Sequence, residues 1–316
     1  MKQKILFLTT VLLMVMSCKN QQLHNVSPKS ESYIEEVIRL LKTHSVNKNK
    51  IDWDRFRNEV YQYANNSHTI ADTYPAITHA ITRLEDNHSY FSAANKNNSE
   101  EEKPLPVFTD EVVPNAIGYI RIPFCIGGEK EIEHYIETIT AKIALQNTQA
   151  KKGWIVDLRE NFGGNMWPML VAVGPLLDNG VQGYFFDPND KPTPWIYNNG
   201  KAFGDQELLA ENKNKILLKT KAVKIAVLTN NRTASSGEAM SVVFRGLPNV
   251  KSFGEPTFGV STGCQSFTLS DGSRINLATT VFADRNKQKY GKSIIPDVVC
   301  KSDEALDKAI KWLENR

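Results

Sequence analysis

The sequence predicts an α/β fold in which a largely parallel sheet with flanking helices follows a small helical domain. Two observations predict it. From Ile117 onward, apolar runs of strand length alternate with helix-length segments, the order that parallel sheets built from βαβ units require. Residues 30–92 instead carry apolar positions at helical spacing, as in Tyr33, Ile34, Val37, Ile38 and Leu41.

The elements follow in chain order. Lys2 and Lys4 precede an apolar run, Ile5 to Met16, that is too short to span a bilayer as a stable helix. It ends in Val15-Met16-Ser17-Cys18, the form of a bacterial lipoprotein signal. Residues 1–17 are expected to be removed, and a lipidated Cys18 to hold the protein on a membrane without spanning it. Residues 18–29 read as a polar tether. Helices are expected over 30–47, 52–64 and 70–85. Residues 93–116, rich in Asn, Lys, Ser and Glu near their start, read as an exposed loop or small cap. The core is then 117–316. It has strands at 117–122, 153–158, 224–229 and 250–253, and helices at 130–146, 166–177, 236–244 and 303–314. A hairpin over 265–283 turns at Asp271-Gly272.

Composition bounds the partners. Removing Lys2 and Lys4 with the signal leaves 36 of 38 basic residues against 35 acidic ones, so the mature chain is nearly neutral. No basic run is interleaved with aromatics, which argues against nucleic acid. Cys125, Cys264 and Cys300 are too widely spaced to read as a disulfide framework. No His/Cys cluster has metal-ligand spacing and no glycine pair has a phosphate-loop context, so neither metal nor cofactor is expected.

Three segments carry candidate chemistry. Thr233-Ala234-Ser235-Ser236-Gly237-Glu238 follows the buried run Ile225–Thr229, placing Ser235 on a strand-to-helix turn where a hydroxyl can enter a cleft. Asp157–Gly164 runs from a strand into Gly163-Gly164, whose amides, with that of Ser236, are candidate oxyanion donors. Asp86-Asn87-His88-Ser89 sets a histidine just past a helix end, a candidate base for the serine. Each segment also has a plain structural reading. Ser235 with Glu238 is a capping box, Gly163-Gly164 a turn, and His88 one of six histidines. The three together are the signal.

With these pieces the chain resembles the tail-specific, or C-terminal-processing, serine peptidases. The resemblance extends over 153–164, 227–238, Gly254–Gly259 and Ile295-Pro296-Asp297. It implies a crotonase/ClpP-like core, a bent sheet spiral with helices around it, and a peptide or protein substrate. Many members use a Ser–Lys dyad, with the lysine directly after the glycine of T-F-G. Here that position is Val260, which cannot accept a proton. Asp86-Asn87-His88-Ser89 matches instead the D-x-H-S segment of the histidine-bearing branch, which includes the tricorn-type and nisin-resistance peptidases. No PDZ module is expected, because 93–115 is too short for one.

The resemblance implies a membrane-anchored serine endopeptidase of the bacterial cell envelope, with Ser235 as nucleophile and His88 as base. Asp284 is the leading candidate for an orienting acid, with Glu238 and Asp86 as others, and a dyad without an acid also fits. Arg159 and Arg285 are candidates for binding a substrate carboxylate, which would direct cleavage towards C-termini, or for structural ion pairs. Two other classes remain: a peptide- or lipid-binding lipoprotein with hydrolysis lost, and a crotonase-like thioester enzyme, which the secretory signal disfavours.

Overall fold

The computed structural model describes residues 25–94, 106–150, 152–214 and 224–315. The signal, Cys18 and most of the tether lie outside the described residues. Three helices open the described chain: α1 (Pro28–His44), α2 (Trp53–Tyr63) and α3 (Tyr74–Thr82). They start where caps dictate. The Ser27 side chain accepts from the Ser30 N–H ahead of α1, and the Asp52 side chain accepts from the Arg55 N–H ahead of α2. The short strand β1 (Tyr90–Ser92) follows, then β2 (Ile117–Arg121), α4 (Glu129–Gln146), β3 (Gly153–Asp157) and α5 (Met166–Val173). A meander of β4 (Gly180–Phe186), β5 (Pro192–Asn198), β6 (Lys201–Gly204) and β7 (Glu207–Glu211) comes next. The chain continues through β8 (Lys224–Thr229), α6 (Ser236–Val243), β9 (Val250–Gly254), β10 (Thr262–Thr268), β11 (Arg274–Asp284), β12 (Val298–Val299) and α7 (Ala305–Glu314).

The expectation of one largely parallel sheet is corrected. Five strands, in the order β12-β9-β8-β3-β2, are all parallel. Seven others form an antiparallel sheet, β1-β11-β4-β5-β6-β7 with β10 also on β11. Strands β3 and β8 are buried on both faces, as central parallel strands must be. Their side chains alternate between two cores. Trp154, Val156, Ile225 and Val227 face one that includes residues of α4, α5 and α6, while Ile155, Ala226 and Leu228 face one that includes residues of α7. The meander escaped the sequence reading although it carried one clear signal. Asn199 and Gly200 have φ of 48° and 86°, the two positive values that a two-residue hairpin loop between β5 and β6 needs.

The helical front does not keep its apolar face to itself. Its cluster takes in Leu269, Ile275 and Leu277 from the β10–β11 hairpin. The far end of β11 contributes Phe282 to the parallel-sheet core. One strand thus spans both packing centres, and the candidate site lies against its middle.

Candidate active site

Ser235 ends the loop after β8 and begins α6. Before α1, α2 and α5, where a side chain caps the helix, the capping residue is extended, with φ/ψ of −66°/152° at Ser27, −75°/98° at Asp52 and −84°/112° at Asn165. Ser235 has φ 51° and ψ −117°, a conformation that costs a non-glycine residue about 1–3 kcal/mol. A capping box alone does not need that strain. The surroundings enforce it. Ala234 N–H donates to the Asn161 carbonyl at 2.9 Å, Phe258 N–H donates to the Thr233 carbonyl at 2.9 Å, and Thr233 Oγ1 donates to the Leu158 carbonyl at 2.9 Å.

The glycine pair lies against this turn. Gly163 and Gly164 have φ of 119° and 105°. A Cβ on Gly163 would sit 2.8 Å from the Ser235 Cβ, and one on Gly164 would sit 2.1 Å from the Cys125 carbonyl oxygen. Both positions therefore require glycine. Fully buried Asn161 organises the loop: its Nδ2 donates to the Ile122 and Pro123 carbonyls, and its Oδ1 accepts the Gly163 N–H at 3.0 Å. Gly163 is therefore not a free oxyanion donor, which corrects the sequence expectation. The N–H groups of Gly164 and Ser236 have no partner among the described residues. The Ser236 hydroxyl donates to the Gly164 carbonyl at 2.5 Å, fixing one of these peptides against the other.

Glu238 is a buried tie and not an orienting acid. Its carboxylate accepts the Ser235 and Val260 N–H groups at 2.9 Å each, the Gly259 N–H at 3.0 Å and the Thr257 hydroxyl at 2.5 Å. It joins the serine turn to the T-F-G-V loop. Burial pushes its carboxyl above the usual range, against these four donors.

Two residues beyond Val260, Thr262 meets the histidine. His88 Nδ1 lies 2.7 Å from Thr262 Oγ1 and 3.3 Å from Cys264 Sγ. Burial pushes the Cys264 thiol up to about 12, so it faces the ring uncharged. Burial also holds the His88 imidazole below its ordinary 6.5, with nearby Asp86 opposing. Asp86 does not bond the ring. Its oxygens accept the His88 and Ser89 N–H groups and the Ser89 hydroxyl, and Ser89 Oγ in turn accepts the Ala278 N–H of β11. The D-x-H-S segment is thus pinned to the middle of β11. No hydrogen bond joins His88 to Ser235 in this structure. Sequence reasoning missed Thr262, and no local motif marks it.

The sequence profile of Peptidase family S41 matches residues 116–300, more than half the chain. The chain belongs to peptidase family S41. As an S41 member it is 26% identical over 299 residues to the nisin-resistance protein of Lactococcus lactis, covering 92% of this chain and 89% of that one. It is 30% identical over 175 residues to the carboxy-terminal processing protease CtpA of Bacillus subtilis, covering 55% of this chain but only 32% of that protein. Among solved structures, a lipoprotein from Streptococcus agalactiae superposes with a TM-score of 0.73 at 27% identity, covering 92% of this chain and 98% of the other. The photosystem II D1 C-terminal processing protease shares the fold, with a TM-score of 0.61 at 16% identity over 92% of this chain and 98% of the other. The S41 fold here is mixed α/β with a small helical N-terminal region.

The remaining candidates of this S41 chain are engaged elsewhere. Asp284 caps its own turn. It accepts the Asn286 and Gln288 N–H groups at 2.9 and 3.1 Å and the Tyr290 hydroxyl at 2.9 Å, so it does not orient His88. Arg159 clasps buried Asp157, with Nη2 2.6 Å from Oδ2, and reaches Glu111 at 3.1 Å. Arg285 donates to Gln182 Oε1 and the Val243 carbonyl. Both guanidinium groups serve the scaffold. Cys125, Cys264 and Cys300 are free thiols. Among the described residues no helix is long and apolar enough to cross a membrane.

Proposed function

We propose that this chain is a serine endopeptidase of the bacterial cell envelope, anchored through a lipid on Cys18 and hydrolysing peptide bonds with Ser235 and His88. One observation carries the reading. A serine held in a strained turn adjoins two N–H groups that have no partner among the described residues, that of Ser236 next to it and that of Gly164, whose carbonyl Ser236 holds, and such groups would stabilise a carbonyl oxygen gaining charge. In the proposed reaction Ser235 Oγ attacks the carbonyl carbon and its proton passes to His88 Nε2. The C–N bond then breaks as His88 returns the proton to the leaving amine, and water releases the acyl group by the same route reversed. With Nδ1–H donated to Thr262 Oγ1, Nε2 keeps the lone pair this requires, so Thr262 is a positioning residue where a triad has a carboxylate. The bond between serine and base is commonly long before substrate binds. Envelope placement rests on the lipoprotein-type signal and on likeness to a streptococcal lipoprotein. Arg159 and Arg285, the cations offered for a substrate carboxylate, are tied into the scaffold, and no preference for substrate C-termini is assigned to them.

The second reading, a binding lipoprotein with hydrolysis lost, draws on the missing Ser235–His88 bond. Fluorophosphonate labelling of the detergent-solubilised full chain, located by mass spectrometry, separates the two. Labelling at Ser235 that disappears in Ser235→Ala and His88→Ala supports hydrolysis. An unlabelled wild type would hand the lead to the binding reading.

A further inference from the structure

The proposed reaction leaves the substrate's side chains unassigned, and the surface beside Ser235 bears on them. Phe162 is 44% exposed and Phe258 is 63% exposed, and among the described residues they are the two exposed phenylalanines. Both flank the nucleophile. The bond from Ala234 N–H to Asn161 sets Phe162 on one side of the serine turn, and the bond from Phe258 N–H to Thr233 sets Phe258 on the other. Their positions are fixed. Phe162 stacks on Phe124 at 4.1 Å and 25°, leaving its other face to solvent. Phe258 stands between Thr257 and Gly259, both bonded to the Glu238 carboxylate. Exposed aromatic rings on a rigid backbone, rimming a reactive group, are what an apolar ligand buries at little ordering cost.

From this placement we infer that the substrates are peptides with bulky aliphatic or aromatic side chains on both sides of the scissile bond, one packed against Phe162 and the other against Phe258. The inference rests on the Ser235 reading above and deepens it. Two phenylalanines that only shaped the loops would pack inward, as Phe124 does at 8% exposure.

The test is digestion of a synthetic equimolar peptide library by the full chain in detergent, with cleavage sites read by mass spectrometry. Wild type is compared with Phe162→Ala, Phe258→Ala and the corresponding leucine variants, each first shown to melt cooperatively. Wild type should cut between bulky apolar residues. Each alanine variant should lose about 10- to 100-fold in kcat/KM at such sites relative to sites flanked by small residues, on one side of the bond each. The leucine variants should recover most of the preference. Cleavage without apolar enrichment, or a preference unchanged in both alanine variants, overturns the inference while leaving the peptidase. If wild type is neither labelled by fluorophosphonate nor able to cut the library, the hydrolytic reading fails. Capture of the same library by Ser235→Ala then decides the inference alone: aromatic-rich peptides retained, and lost in the double alanine variant, uphold it, whereas no apolar enrichment sinks it.

Discussion

Glu238→Gln isolates the buried carboxylate that ties the serine turn to the T-F-G-V loop. The wild-type group is fully buried and receives four donors with no acceptor nearby, so its ionised form is the one that fits. Glutamine keeps the shape but has one carbonyl oxygen. With that oxygen towards Ser235 and Val260, its NH₂ faces the Gly259 N–H and the Thr257 hydroxyl. The hydroxyl can turn; the amide cannot. One buried N–H loses its partner, at about 1–3 kcal/mol, and the two surviving bonds lose their charge assistance, at about 1 kcal/mol each. The expected destabilisation is about 3–5 kcal/mol. For a chain of this size that lowers Tm by roughly 6–10 °C, at roughly 2 °C per kcal/mol. Thermal unfolding followed by tryptophan fluorescence measures it, with Glu304→Gln as the exposed control whose Tm should stay close to wild type. Fluorophosphonate labelling should slow in parallel as the turn relaxes. A loss under about 1 kcal/mol would refute the argument, because a carboxyl that burial had already neutralised is copied well by glutamine.

The other predictions concern the same site. Gly164→Ala places a methyl 2.1 Å from the Cys125 carbonyl and displaces one oxyanion donor, so acylation at Ser235 should fall by about 100- to 1000-fold; labelling at the wild-type rate would remove Gly164 from the site. Burial holds His88 below 6.5, so kcat/KM on any cleaved peptide should stay level through neutrality and fall on acidification with an apparent pKa below 6.5. The sign for stability is the same: the folded chain binds this proton less readily than the unfolded one, so the contribution is complete above 6.5 and is lost as pH falls below it. An inflection above 6.5 would contradict the burial argument. Thr262→Val removes the acceptor for Nδ1–H and should cut kcat by about 10- to 100-fold with KM little changed, while Thr262→Ser restores it. The valine variant's acid limb should also move; equal rates in valine and serine variants would make Thr262 structural only.

Legibility followed the range of the signal. Strands β3 and β8 read clearly because central parallel strands are apolar throughout, and Ser235 and Gly163-Gly164 read clearly because their conformations demand particular residues within a few positions. The meander was harder to read despite Asn199-Gly200, because Pro192 and Pro194 break the strand-like run of β5. Thr262 was opaque for another reason. Its contact with His88 joins residues 174 apart, and threonine at a strand start is ordinary. Asp284 was opaque as well: its role is set by its place at the end of β11, where its carboxylate caps the turn that follows, and a candidate acid in the sequence carries no mark of that.

The two halves of the candidate site belong to different cores, and this bears on how the site forms. Ser235 and the glycine pair rest on the parallel sheet, whose strands place their amides without help from the helical front. His88 leaves the end of α3 and is held by Ser89 to Ala278, while its partner Thr262 pairs with Val281. Both attachments fall in the middle of β11, between Ile275 and Leu277, which pack with the helices, and Phe282, which packs with the parallel sheet. Docking of the helical cluster onto the hairpin therefore sets where the imidazole stands relative to the serine. A cavity at this junction, as in Leu277→Ala, should cost about 2–5 kcal/mol and slow acylation of Ser235 even where the parallel sheet stays folded. Its signature, in a Trp53→Phe background that leaves the remaining tryptophans in or against the parallel-sheet cores, would be fluorophosphonate labelling that fails at a lower temperature than the tryptophan signal. Coincident loss of the two would mean that the cores unfold as one unit and that β11 only transmits their shared stability.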